Sequence, residues 1–472
     1  MISERLQRLK YLAGDFVTSS VAWALFNCVR WELHAVQGTY TSLAGFLTSR
    51  NVLILQLVIP LFMMCVYWLS GYYNEVFRKS RLQEVFTTFW SAVVNSLVIF
   101  FGALINDMSG TRGASYELII ILWSLLFFIV YAVRCAITND TSYRIKHRKW
   151  SIPTLVVGRG ATAVSFVNKI NNQQRSMGYD IRGFVSIPGE NDVKELSLPG
   201  YTLDEVAEVC RRDHIKELIV VPTRKGSDRL LHTINHLFAL DKPIKLTPMS
   251  GNVLMRKMRM SDFYGVPLVD ISSSNMSDSA KNVKRAADVI ISSILLLVMA
   301  PFFAIIALLI KLDSHGTVFY LQERVGYHNV PFNIYKFRTM CSDAEASGEP
   351  QLTSDNDPRV TRIGRFLRKY RIDELPQFWN VLVGDMSIVG PRPERQYYID
   401  QIMKRAPSYA LLRQVRPGIT GMGMVKYGYA QNVDEMVERL DYDLMYLENM
   451  SLINDVKIMV YTIHTVLTGK GM

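Results

Sequence analysis

The chain has 472 residues, of which 49% are hydrophobic, and a formal net charge of +11. That length exceeds one ordinary domain, and a mean hydropathy of +0.12 argues against a purely soluble protein. A pI near 9.3 suits contact with anionic lipid, phosphorylated substrates or nucleic acid, and only the positions of the basic residues choose among them. The five cysteines, Cys28, Cys65, Cys135, Cys210 and Cys341, show no paired spacing for zinc or redox work, so a reduced, cytoplasm-facing protein is expected. No small-residue cleavage site follows a short apolar run near the amino end, and a removable signal peptide is not expected.

In chain order, uncharged apolar runs lie between Asp15 and Arg30, Arg50 and Glu75, Glu84 and Asp107, and Glu117 and Arg134. With polar flanks, the last three supply the roughly 17 to 25 residues that a spanning helix needs. The first is shorter and on length alone also fits an interfacial helix. Basic clusters occur in ERLQRLK before the first run, in RKSR (78–81) between the second and third, and in RIKHRK (144–149) after the fourth. The other loops, near 32–50 and 106–115, carry one arginine each. Four spans with both ends inside satisfy the positive-inside bias. The expectation is an N-terminal four-helix transmembrane bundle over residues 1–140.

The next segment, PTLVVGRGATAVSFVNKI, reads as a buried strand, a glycine turn and a helix start. Strand-like runs at IRGFVS, ELIVVP and PIKLTP alternate with helical patterns such as LDEVAEVCRRDH. That alternation predicts a central Rossmann-like α/β domain over 151–250. Gly158, Gly160 and Ala163 match a nucleotide-type turn, in which small residues let a helix amino end approach a phosphate. Where an NAD site usually places an acid, at the end of the second strand, the chain has Val185 and Ser186. A domain that keeps the fold and has lost or changed its ligand is an equal reading.

From residue 281 the chain reads KNVKRAADVIISSILLLVMAPFFAIIALLIKLDSHG. The uncharged stretch between Asp288 and Lys311 is long enough to cross a membrane. Crossing would carry outside a carboxy-terminal third that holds Lys336, Arg338, Arg359, Arg362, Arg365, Arg368, Lys369 and Arg371, against the positive-inside bias. Pro301, near the middle, removes a backbone donor and bends a helix. A re-entrant helix over about 286–312 that enters and leaves by the cytoplasmic face is therefore expected. Its freed carbonyls need partners, for which Ser292 and Ser293 are the nearby hydroxyls.

In DPRVTRIGRFLRKYRIDELPQFWNVLVG the apolar Ile363, Phe366 and Leu367 fall at helical spacing, with arginines on much of the other side. An isolated Asp373-Glu374 in such a place is a helix cap with a dipole-favoured neighbour. The surroundings favour chemistry instead. An ionised carboxylate can attack phosphorus without a separate base, provided that cations screen the repulsion between nucleophile and phosphate. Arginine forks and Mg²⁺ provide such screening. Arg338, Arg368, Arg392 and Arg416 all sit in short turn-rich strings, and prolines on both sides of Arg392 hold its backbone extended.

The strings KRAADVI, FYLQERVG, FNIYKFRTM, DPRVTRIGRFLRKYRIDELPQFWNVLVGDMSIVGPRPE and RPGITG occur in this order. On them, residues 281–472 closely resemble the bacterial sugar transferases known as monotopic polyprenol-phosphate phosphoglycosyl transferases. With four amino-terminal spans and a Rossmann-like middle, the whole chain resembles the large form of that family. The resemblance implies a membrane protein of mixed class whose C-terminal re-entrant-helix catalytic domain (281–472) is α-rich, α+β. It implies transfer of a sugar 1-phosphate from a UDP-sugar to undecaprenyl phosphate at the cytoplasmic face of the bacterial inner membrane, starting a surface glycan. Asp373 would be the nucleophile and release UMP, and Glu374 would help it to organise Mg²⁺ or the incoming phosphate. Lys336, Arg338, Arg368, Arg392 and Arg416 would bind phosphate or substrate, Arg368 matching the family arginine that meets the polyprenyl phosphate and Arg392 and Arg416 those near the nucleotide-sugar phosphates.

The chain departs from the family pattern in two places. Ala300-Pro301 stands where many members have Ser-Pro, and GMGMVKYGYAQNVDE replaces a Trp-Gln-Val string, so the resemblance names no sugar. Asp443 and Asp455, in the tail, are read as structural in preference to bracing the site. An NAD-dependent nucleotide-sugar modifier tethered to the membrane is the rival enzyme, but it needs a ribose-binding acid and a Tyr-x-x-x-Lys pair, and neither is evident in 151–250. A non-catalytic regulator of glycan assembly would leave the acids and arginines idle. No aromatic-interleaved basic pattern supports nucleic-acid binding. Membrane lipid is an expected partner, and the oily surface is compatible with a homodimer.

Overall fold

The computed structural model describes residues 4–33, 40–77, 79–104, 112–173, 175–188, 198–222, 228–238, 240, 242–247, 268–271, 276–341 and 357–468. They fall into two compact units. The first is Met1–Ser151 with the short pieces Gln174–Gly178 and Ser277–Val283; the second is Ile152–Gln173, Tyr179–Met276 and Lys284–Met472.

In the first unit each apolar run becomes a long helix: α1 (Glu4–Glu32), α2 (Arg50–Leu69), α3 (Arg81–Ile99, continued by a π-helical turn) and α4 (Arg112–Lys146). All four are long and apolar enough to cross a membrane. The first reaches that length because its polar start is also helical. Gln7 and Tyr11 turn inward there and bond to Thr141 and Thr138 of α4 at 2.8 and 2.9 Å. Helices α1 and α3 each pack on α2 and α4, around a core that includes Trp23, Phe26, Met63, Leu122 and Leu126.

An ionic cluster lies inside this bundle. Arg134, with 0% exposure, donates through Nε and Nη2 to both oxygens of Asp15 (2.8 and 2.7 Å) and through Nη1 to Thr88 (2.9 Å). Tyr73 donates to Asp15 at 2.7 Å, and Glu84 accepts from Tyr72 and Thr138 at 2.6 and 2.8 Å. Hydrocarbon offers no alternative partner to a charge, so the charges are gathered together, with the Arg134 guanidinium 3.6 Å from the centre of the Tyr72 ring.

The second unit begins with a sheet of order β3-β2-β1-β4-β5-β6. Strands β1 (Ile152–Val157), β2 (Tyr179–Val185), β3 (Gly200–Tyr201), β4 (Glu217–Val220) and β5 (Ile244–Leu246) run parallel. Helices α5 (Ala161–Asn171), α6 (Val206–Arg212) and α7 (Asp228–Phe238) connect them. The sheet continues past residue 250, because β6 (Val269–Asp270) pairs antiparallel with β5. Two residues are too short to carry a periodic signal. The α/β layer is not compact by itself either: Ala410, Met403 and Leu411 of the carboxy-terminal third complete the core around Leu230, Leu237 and Ile244.

Helix α8 (Asp278–Asp313) is a fifth helix of membrane-crossing length and hydropathy, and its apolar stretch is almost wholly exposed. It is helical without interruption through Pro301. The hydroxyl partner expected for the carbonyl that Pro301 frees is not found: Ser292 Oγ is buried without a partner among the described residues, and Ser293 faces outward. Both ends of the apolar stretch are held by the carboxy-terminal third. At one end Lys284 bonds to Asp455 (2.7 Å) and the Val389 carbonyl (2.9 Å), Arg285 to the carbonyls of Val381 and Leu382, and Asp288 accepts from Ser387 (2.7 Å). At the other, Asp313 accepts from the Ile363 amide (3.1 Å), and Ile310 packs with Phe337 and Leu367.

Candidate active site

The site is assembled on a hairpin and a tight turn. Strands β7 (Phe319–Val325) and β8 (Pro331–Phe337) pair antiparallel, and Lys336 projects from the end of β8. Helix α9 (Arg362–Lys369) is capped by Thr361, whose Oγ1 accepts from the Gly364 amide. A Cβ at Gly364 would come within 2.1 Å of the Thr339 carbonyl oxygen, so only glycine lets this helix lie against the chain after β8. Arg371 then takes a left-handed conformation (φ 54°) before the single 3₁₀ turn Ile372–Glu374. Such a conformation costs a non-glycine residue about 1–3 kcal/mol and persists only where the surroundings fix it. Helix α10 (Gln377–Val383) follows.

Asp373 and Glu374 are both buried, at 8% and 6% exposure. Glu374 Oε1 accepts from Lys336 Nζ at 2.9 Å, Arg392 Nη2 at 3.2 Å and the Tyr429 hydroxyl at 3.4 Å. Burial pushes Glu374 up, but Lys336, Arg392 and Arg371 outweigh it and hold the group well below the usual carboxylate range. Asp373 goes the other way. Burial and then the neighbouring Glu374 charge push it up to about 6, against the pull of Lys336 and Arg368. Two adjacent acids are thus divided, one as a fixed anion and the other poised near neutrality.

The structure sorts the predicted cations. Lys336 and Arg392 contact Glu374 directly, and Arg368 faces Asp373 electrostatically while its Nε donates to Thr339 Oγ1 at 2.8 Å. Arg338 is used elsewhere. Its guanidinium donates to Ser314 O (2.7 Å), Ser314 Oγ (2.9 Å) and His315 O (3.0 Å), closing the carboxy end of α8. Arg416 is exposed, and its Nε donates to the Gly384 carbonyl (2.9 Å), just beyond the far end of α10 from the acids. Arg338 and Arg416 bond to carbonyls that helices leave unsatisfied at their ends, which a turn-rich string in the sequence does not reveal.

Behind Pro391-Arg392-Pro393, Glu394 accepts from Arg439 (2.6 Å) and Arg324 (3.1 Å), which braces the loop that carries Arg392. Asp443 accepts from the Gly423 amide, and Asp455 from Lys284 and Tyr446. Arg371 and Tyr429 had no place among the predicted site residues. In the sequence Arg371 figured only among the basic residues that oppose membrane crossing, and Tyr429 falls in the string that departs from the family pattern. In the α/β layer, Gly158 (φ 130°) has a place only for glycine, since a Cβ would meet the Val221 carbonyl at 2.4 Å, and Gly160 caps α5. Arg159 donates to Ser186 at 3.2 Å there.

Among the described residues, five helices of membrane length and an acidic pair beside cations define a class: membrane proteins with an anion-suited site beside an apolar helix. Comparison with known proteins makes this specific. The model of the bacterial sugar transferase family matches residues 279–469. An exopolysaccharide production protein of Rhizobium leguminosarum bv. phaseoli is 41% identical over 40% of this chain and 98% of its own length. The chain belongs to the bacterial sugar transferase family. A UDP-N-acetylgalactosamine-undecaprenyl-phosphate N-acetylgalactosaminephosphotransferase of Aeromonas hydrophila is 47% identical over 40% of this chain, which spans 44% of that protein's length. A UDP-glucose:undecaprenyl-phosphate glucose-1-phosphate transferase of Escherichia coli (strain K12) is 27% identical over 88% of this chain and 89% of its own.

Proposed function

We propose that this chain transfers a sugar 1-phosphate from a UDP-sugar to undecaprenyl phosphate, giving undecaprenyl-diphospho-sugar and UMP. One observation carries the reading: a buried Asp373 beside a buried Glu374 that accepts from Lys336 at 2.9 Å and Arg392 at 3.2 Å. The names of the relatives point to the same substrates.

In the first step a carboxylate oxygen of Asp373 attacks the sugar-linked phosphorus. The bond from that phosphorus to the bridging oxygen breaks, and UMP leaves with the electron pair. In the second step a phosphate oxygen of undecaprenyl phosphate attacks the same phosphorus, and the bond to Asp373 breaks, restoring the carboxylate. Lys336, Arg368 and Arg392 screen the negative charge of nucleophile and phosphates. Asp373 and Glu374 are the residues that would hold Mg²⁺, with substrate phosphates and water as further ligands, the usual manner for this ion. Bound there, it supplies further charge neutralisation at the phosphates. Among the described residues there is no cluster of three metal-ligating side chains, so a site completed by substrate is the one these residues fit.

The bonds at both ends of α8 support a helix that enters and leaves by one membrane face, the cytoplasmic one by the charge bias. The product would initiate a surface polysaccharide. Purified protein given labelled UDP-glucose, UDP-galactose and their N-acetylated forms, with undecaprenyl phosphate and Mg²⁺, is expected to yield labelled lipid from at least one of them. Failure of all four rejects the reading.

The reactive anion is lost as pH falls through the raised value of Asp373. Log kcat/KM is expected to level off above pH about 7 and to fall with unit slope below about 6. A profile that stays flat down to an ordinary carboxylate value of 3.8 would contradict this assignment.

A further inference from the structure

We propose that Arg371, seated against Tyr429, is a further phosphate-binding residue of this site and serves the departing nucleotide rather than the lipid acceptor. The inference rests on the transfer reaction proposed above. Three observations meet at Arg371. Its backbone is left-handed, a conformation that only glycine adopts without strain. Its guanidinium lies 4.8 Å from the centre of the Tyr429 ring, and that of Arg392 lies at the same distance from the same ring. Its Nε is buried and donates to no described residue.

A buried guanidinium N–H without an acceptor is unfavourable, and the fold supplies no carbonyl for it as it does for Arg338. A phosphate oxygen is the acceptor that this place suits, because Arg392 and Lys336 already make it positive beside Glu374. The left-handed residue also separates two arginines only three positions apart. Arg368 bonds to Thr339, on a helix whose Leu367 packs with Ile310 of α8 and whose first turn bonds to Asp313. That flank adjoins the membrane helix, from which a lipid phosphate would come. Arg371 goes instead to Tyr429, in the loop before the helix Val433–Glu448, on the flank of Arg392. The phosphate of the departing nucleotide and that of the lipid therefore have separate arginines.

The test uses full-length protein in detergent micelles, with UMP as product inhibitor. Arg371→Gly removes the side chain and keeps a residue that tolerates the backbone, and Arg371→Lys keeps a charge. The inhibition constant of UMP is expected to rise about tenfold or more in the glycine variant and to recover in part with lysine. The KM for undecaprenyl phosphate and the thermal midpoint should stay within about twofold and a few degrees of wild type. An unchanged UMP inhibition constant in a folded Arg371→Gly protein overturns the inference, as does an equal rise in the KM for the lipid. Wild-type protein that forms no lipid-linked product rejects the transfer reading itself, and the assignment of Arg371 with it.

Discussion

Replacing Asp373 by Asn is expected to abolish turnover, by about a thousandfold or more, and to eliminate any covalent sugar-phosphate adduct. The amide has nearly the shape of the carboxylate but no charge with which to attack phosphorus. The substitution should not unfold the protein, and the direction of the Asp373 shift says why. A carboxyl raised from 3.8 to about 6 by folding is harder to ionise in the native state, so above pH about 6 its charge costs stability, and below about 4 that cost is absent. An amide removes the cost. Stable, inactive protein is therefore the expected result, read by thermal midpoint and by intact mass after incubation with UDP-sugar alone. Full activity in Asp373→Asn would sink the nucleophile, and a collapse of the fold would contradict the electrostatics.

In the bundle, Asp15→Leu is expected to destabilise the protein by about 3–5 kcal/mol, because it leaves Arg134 buried without its carboxylate. Thr88 is the one other described side chain that Arg134 hydrogen-bonds, and a hydroxyl does not neutralise a charge. Tyr73 loses its acceptor at the same time. The double variant Asp15→Leu with Arg134→Leu should recover most of the loss, since buried ion pairs often exchange for apolar residues at little net cost. Thermal unfolding in detergent measures both. A single variant as stable as wild type, or a double no better than the single, would show that this pair does not hold the bundle.

These two sites were unequally legible. Asp373 and Glu374 stood out because unlike residue types crowd into one short string, and the strand, glycine turn and helix at 152–171 stood out because their period is local. Asp15 and Arg134 read only as the edges of apolar runs. A charge in a linear window looks like a boundary, while the partner that keeps it buried is 119 positions away. Arg338 and Arg392 both sat in turn-rich strings and were both read as phosphate-binding, with only the prolines that flank Arg392 to separate them. Only the three-dimensional structure shows that one meets two carbonyls at a helix end and the other a carboxylate. The link between the α/β layer and the carboxy-terminal third was likewise invisible, since Ala410 carries no signal of what it touches.

That link bears on how such chains can be shortened. The Rhizobium relative is matched along 98% of its length by 40% of this chain, so a counterpart of part of this chain exists as a much smaller protein. Here Met403, Ala410 and Leu411 belong to a core that the strands from 152 onward help to close. Cutting this chain before residue 279 would bare an apolar scar beside the segment that leads into Arg416. A version without the strands would need polar side chains at these three positions, so their polarity tells whether an α/β layer is present to cover them.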